Sequence, residues 1–190
     1  MNKKEACLKT QGEEDISEII VGLQRRTVLL SEALKMIMNM AKNAGNSELY
    51  NFCRYEVEGW TREAVEIFGK VPMHRMVDIY ASPSHLINPK YVGWDDKADT
   101  IFNEIEKSIS EGKDEFFKWR YMVSDAMELL EERARQEPAE EILTMTFNSK
   151  EILKDTPLDC PVYGYMRIQV FEQVIEKSRE ELIKRLNTLI

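Results

Sequence analysis

Histidine is scarce in this 190-residue sequence: His74 and His85 are the only two, which excludes a histidine-rich metal site. Cysteine is hardly commoner. Cys7, Cys53 and Cys160 are odd in number, far apart and never in CxxC spacing, so they suit neither a zinc site nor a secreted disulfide framework. We read them as reduced thiols that pack like small hydrophobes. No apolar run approaches the ~20 residues needed to span a bilayer. Lys3 and Lys4 have no apolar stretch behind them of the kind a signal peptide requires. The expected location is the cytoplasm, with no membrane partner. Long basic runs are missing too: no Lys/Arg run exceeds two, and the net charge is −8, which argues against nucleic acid as a partner. The phosphate-cradling loops GxxxxGKS/T and GxGxxG do not occur, nor does the GxSxG nucleophile elbow. We therefore expect no cofactor and no bound metal.

What remains is an ordinary globular composition, 43% hydrophobic and 32% charged, with few glycines and prolines to build linkers. We expect a frayed N-terminus over residues 1–12 and a single domain over 13–190. Asp15-Ile16-Ser17-Glu18 has capping-box spacing and opens a helix with Ile16, Ile19, Ile20 and Leu23 on one face. A second helix, about Ser31 to Ala44, turns Ala33, Leu34, Ile37, Met40 and Ala41 inward and stops at Gly45. Its three methionines, Met36, Met38 and Met40, make it adaptable. A third helix, capped by Asn46 or Ser47, closes near Gly59. The period then changes. Met73 to Ala81 alternates as a strand with Arg75, Val77 and Ile79 on one side. Further on, a helix with Ile101, Ile105 and Ile109 runs from a cap at Asp95 or Asp96 to Gly112. A short strand follows near Phe117–Val123, then a helix capped by Ser124 and ending near Gln136, and another strand around Leu143–Phe147. The chain turns around Pro157 and Pro161, and a long closing helix carries Phe171, Ile175, Leu182 and Leu186 on one stripe. The expected class is α+β, mainly helical: N-terminal helices, a small mixed or antiparallel sheet and a long C-terminal helix, without βαβ rhythm.

Few residues suggest chemistry. Glu111-Gly112-Lys113 has an ExK shape but straddles a helix end, and Glu131-Glu132 and Glu140-Glu141 read as a solvated face. Asp125 to Glu141 is acidic, with seven carboxylates against two arginines. Cys53 lacks a base on its own helix face. Glu56 stands apart. At 100° per residue it falls among Leu49, Phe52, Cys53, Val57 and Trp60, and an isolated buried carboxylate costs several kcal/mol. It must be paired, hydrogen-bonded or protonated. Arg75 is its nearest candidate partner, so we expect a buried structural Glu56–Arg75 pair that docks the third helix on the sheet, with His74 and Trp60 as candidate site-lining residues. No residue is assigned as catalytic.

Residues 28–80 carry a resemblance. Gly45-Asn46-Ser47-Glu48-Leu49, Glu56-Val57-Glu58-Gly59-Trp60 and Val71-Pro72-Met73-His74-Arg75 are similar to successive motifs of the AbiTii domain family, associated with bacterial abortive infection. Ser124 to Glu131 and the closing helix from Met166-Arg167 are similar to later segments of that pattern. Trp60 and His74 stand where the family has tyrosines. The resemblance implies antiphage defence and supplies no catalytic residues. The function expected from it is a cytoplasmic module acting through protein–protein contacts as sensor, adaptor or assembly subunit, with a defence-system or phage protein or a second copy as partner. The adaptable second helix and the acidic helix from Asp125 are the surfaces it would use. Two alternatives stay open. One is a small hydrolytic enzyme with a Glu56/Arg75/His74 cleft. The other is an RNA-binding toxin–antitoxin component that stacks bases on Trp94 and Trp119 beside Arg120.

Overall fold

A computed structural model of the protein describes residues 3–83, 98–113, 117–135, 142–148 and 161–189. It is an α+β structure, mainly helical, with an antiparallel sheet and a long C-terminal helix. Seven α-helices are described: α1 (Lys3–Gln24), α2 (Leu30–Asn43), α3 (Ser47–Glu58), α4 (Arg62–Phe68), α5 (Ala98–Ser110), α6 (Met127–Ala134) and α7 (Gln169–Asn187). Four strands accompany them: β1 (Met76–Pro83), β2 (Phe117–Met122), β3 (Ile142–Asn148) and β4 (Pro161–Arg167). Where one domain is expected over 13–190, the chain divides into two compact units, each discontinuous in sequence.

The helical unit combines residues 1–75, 123–132 and 173–190. Its helices begin and end where local chemistry dictates. The Asn46 side chain accepts the Leu49 N–H at 3.1 Å to open α3, and Thr61 Oγ1 accepts the Ala64 N–H at 3.1 Å to open α4. Gly45, at φ +70°, terminates α2 as expected. Leu23, Leu34, Phe52, Trp60, Met127 and Leu186 are completely buried and form part of its core. Met40 and Val57, expected inside, are only half-buried, whereas Tyr55 is buried. Tyr55 joins a ring cluster with Trp60 (centroids 5.3 Å apart) and Phe68 (6.3 Å), which draws it inward despite its hydroxyl.

Three expectations for this unit are corrected. The first helix, expected to open at Asp15, starts at Lys3, because Lys3 to Leu8 are helix formers that no breaker interrupts. Asp15 thus lies inside a helix and does not start one. The Ser124 cap is not made either: its carbonyl accepts the Trp60 N–H at 2.8 Å, and α6 starts only at Met127. Arg75 is not a strand residue. Met73–Arg75 is one 3-10 turn, closed by Arg75 N–H donating to Pro72 O at 2.9 Å, and β1 begins after it.

The sheet unit comprises residues 76–122 and 133–172, with strand order β2-β1-β4-β3 and every neighbour antiparallel. Along β1 the alternation is clean: Val77, Ile79 and Ala81 are buried, and Asp78 between them is exposed. β4 replaces the turn expected around Pro161. It is central, pairing with β1 and β3, and Gly164 faces Ala81 on one side and Met145 on the other. Proline and glycine weaken a strand signal, so pairing on both flanks forms what the local sequence does not announce. The proposed caps of α5, Asp95 and Asp96, and the Pro157 turn lie outside the described residues.

Candidate functional site

The most heavily charged interior point of the helical unit is Glu56, on the buried face of α3. Glu56, Arg75 and Trp60 are each 0% exposed, and the His74 side chain is 14% exposed. Arg75 grips the carboxylate side-on, with Nη2 2.8 Å and Nε 3.1 Å from Oε2. Oε1 accepts the indole N–H of Trp60 at 2.6 Å and lies 2.7 Å from His74 Nε2. An ionised carboxylate has no proton to give, so His74 Nε2 carries the hydrogen and donates it. The remaining reach of Arg75 goes to backbone: Nη1 donates to Asp125 O at 2.8 Å and Nη2 to Glu56 O at 3.3 Å. One arginine thereby ties together α3, the 3-10 turn and the segment leading into α6.

The electrostatics follow from this geometry. Burial by itself would raise the Glu56 pKa. The Arg75 charge, then the hydrogen bond and charge of His74 and the hydrogen bonds of Arg75, outweigh it and lower the pKa from 4.5 to about 2. A general acid or base works best when its pKa lies near the operating pH. A carboxylate this acidic, dry and fully donated to is built to stay ionised and fixed in place. Because its folded pKa is depressed, its contribution to stability is complete above the ordinary value near 4.5. It is lost as the pH falls towards about 2. We expect the thermal midpoint of the wild-type chain to fall across that window, and Glu56→Gln to remove that component of the fall; calorimetry from neutral pH to pH 2 checks it.

The rings around the pair exclude water. Trp60 meets Phe68 edge-on (centroids 5.2 Å, 84°), and His74 lies 5.7 Å from Phe52 and 6.1 Å from Trp60. Arg185 of α7 sets its guanidinium 4.3 Å above the Phe52 ring while pairing with Glu181 at 2.9 Å and Glu48 at 3.2 Å. Cys53 is buried here, and burial followed by the Glu56 charge pushes its thiol up to about 12, so it is no thiolate nucleophile at neutral pH.

No protein-family model, curated protein or solved structure matches this chain. The geometry alone therefore sorts the candidates. It brings Glu56, Arg75, His74 and Trp60 together, although Arg75 arrives from a turn and links helical segments, where a strand docking α3 on the sheet was expected. Glu111 and Lys113 pair with each other at 2.6 Å on the surface just beyond α5. His85 and Trp94 lie outside the described residues; Trp119 and Arg120 are on β2, with Arg120 exposed. Among the described residues no cluster of three or more His, Cys, Asp or Glu could hold a metal ion, and no helix is long and apolar enough to cross a membrane. In the sheet unit a surface depression of about 510 Å³ is lined by Glu106, Lys107, Ile109, Ser110 and Lys118, and its carboxylate already accepts the Tyr80 hydroxyl at 2.5 Å.

One residue overturns its sequence reading. Glu131 does not belong to a solvated face: it is 6% exposed and caps α2 from α6. Its Oε1 accepts the Leu30 N–H at 2.7 Å, and its Oε2 accepts the Ser31 hydroxyl at 2.6 Å. Leu29, at the N-cap position, has no side-chain oxygen to do this, so a carboxylate 101 residues away supplies both the acceptor and the negative charge favoured at a helix N-terminus. Removing it strands two buried donors. We expect Glu131→Ala to cost about 1–3 kcal/mol, read as a shift in urea midpoint at unchanged slope.

Proposed function

We propose that this chain is a defence module of the abortive-infection type that works through contacts with another protein and performs no chemistry at the Glu56 cluster. The observation that carries this reading is the state of Glu56: dry, ionised and saturated by Arg75, Trp60 and His74. The positions that resemble the AbiTii motifs are spent on a helix cap at Asn46, on the buried pair and on the Gly59 turn. Recognition then falls to the surface. Large apolar side chains stand exposed on the two helices whose composition suggested contact surfaces, Met36 (50%) on α2 and Leu129 (37%) on α6. Their neighbours Lys35 and Glu128 join the same helices at 2.8 Å.

The test is expression of the chain in a bacterial host challenged with phage. Protection is expected with the wild type, and loss of protection with Met36→Glu or Leu129→Glu at unchanged thermal stability. The purified chain alone is expected to turn over neither nucleotide nor nucleic acid. Turnover abolished by Glu56→Gln in a protein of unchanged stability would overturn the reading in favour of a hydrolytic enzyme.

A further inference from the structure

The two edges of the sheet differ in composition. β2 carries Lys118 and Arg120, both exposed, and charged residues of this kind discourage strand addition. β3 reads Ile-Leu-Thr-Met-Thr-Phe-Asn, seven residues with no charge, proline or glycine. Its pairing with β4 runs unbroken from Ile142↔Arg167 to Asn148↔Pro161, so no bulge bends the edge away. Among the described residues no strand pairs with its outer side. Within these seven residues the charge, proline and bulge by which natural sheets blunt an edge strand are missing.

We propose that β3 is the seat of a homodimer, pairing antiparallel with β3 of a second copy about a twofold axis through Met145, so that two four-stranded sheets become one of eight. The segment is complementary to itself. With the axis at Met145, Thr144 lies opposite the partner's Thr146, Leu143 opposite the partner's Phe147 and Ile142 opposite the partner's Asn148. Threonine pairs and aliphatic–aromatic pairs are stabilising cross-strand combinations, and no charge meets its like. This is also the one twofold register that pairs all seven residues; any other leaves backbone donors and acceptors of β3 unmatched. A second copy is therefore the occupant this edge fits. The pairing goes beyond the defence reading and would hold for a chain with another role.

The test uses the full chain with Cys7 and Cys160 replaced by serine; buried Cys53, whose thiol is pushed up to about 12, does not compete. Across the axis two Cα atoms of residue 145 are about 4.5–5.5 Å apart, within disulfide reach. Met145→Cys is expected to give a covalent dimer under mild oxidation. Leu143→Cys is expected to stay monomeric, because its own copy lies four residues along the partner strand, about 13 Å away. By sedimentation the wild type is expected to be a dimer, and Thr146→Lys to associate at least ~10-fold more weakly with an unchanged circular dichroism spectrum. A monomeric wild type would overturn the proposal, as would a dimer in which Leu143→Cys cross-links and Met145→Cys does not. If Thr146→Lys fails to fold, the cysteine pair decides alone. Loss of phage protection with the dimer intact would count against the defence reading and leave the pairing standing.

Discussion

Arg75→Met is expected to destabilise the protein by about 3–5 kcal/mol, a large share of the 5–15 kcal/mol that holds a typical domain folded. The loss comes from what the substitution leaves behind. Glu56 remains 0% exposed with its charge uncompensated, and the carbonyl of Asp125 loses the guanidinium that reached it at 2.8 Å. Glu56→Leu is expected to cost a similar amount, because it strands the Arg75 guanidinium and the Trp60 indole N–H. The double variant Glu56→Leu/Arg75→Met is the informative one. With both charges gone it should cost clearly less than the two single changes together. It should not return to wild type, since Trp60 Nε1 and His74 Nε2 lose the carboxylate oxygen they share, at about 1–3 kcal/mol for each that stays dry. Urea denaturation of the four proteins completes the cycle. Additive losses would mean that the pair acts as two independent residues, contrary to the geometry.

Gly59→Ala is expected to be about as damaging, by a different mechanism. Gly59 ends α3 at φ +99° and ψ 153°, a backbone region that side-chain-bearing residues rarely enter. A Cβ there would lie 2.7 Å from the Ser124 carbonyl oxygen, a backbone atom already held by the Trp60 N–H. Forcing the dihedral costs about 1–3 kcal/mol and relieving the overlap about 1–3 more, so roughly 2–6 kcal/mol in all. The substitution should also displace Trp60, and with it one donor to Glu56. The indole fluorescence of the folded variant should therefore change together with its urea midpoint; a normal midpoint would show that the turn relaxes without loss.

These two positions also mark what was legible beforehand. Glu56 announced itself because its intrusion is local: a carboxylate at helical spacing among apolar residues needs a partner wherever the fold sends it. Its partner was named correctly by proximity and placed wrongly by period, since Met73-His74-Arg75 continues the alternation of β1 on paper while Pro72 accepts from Arg75 and winds the segment into a turn. Glu131 could not be read at all. Its meaning depends on Leu29 having no oxygen to offer and on Leu30 lying 101 residues upstream, and no window of sequence contains both. β4 was hidden for a related reason: a strand with Pro161 at its start and Gly164 at its centre is decided by flanking strands, not by its own composition.

The reach of Glu131 has a consequence for synthesis. A ribosome delivers α2 long before it delivers the carboxylate that closes its first turn. At about 5–20 residues per second the gap between Leu30 and Glu131 is roughly 5–20 s. The helical unit also waits for residues 173–190, a further 42 positions beyond Glu131 at the nearest. During that interval α1 to α4 have no finished core to join, and the apolar faces of Leu34, Ile37 and Phe52 are open to whatever else is nascent or nearby. Folding of residues 1–75 is thus timed by the translation of segments that lie about a hundred residues or more downstream of α2.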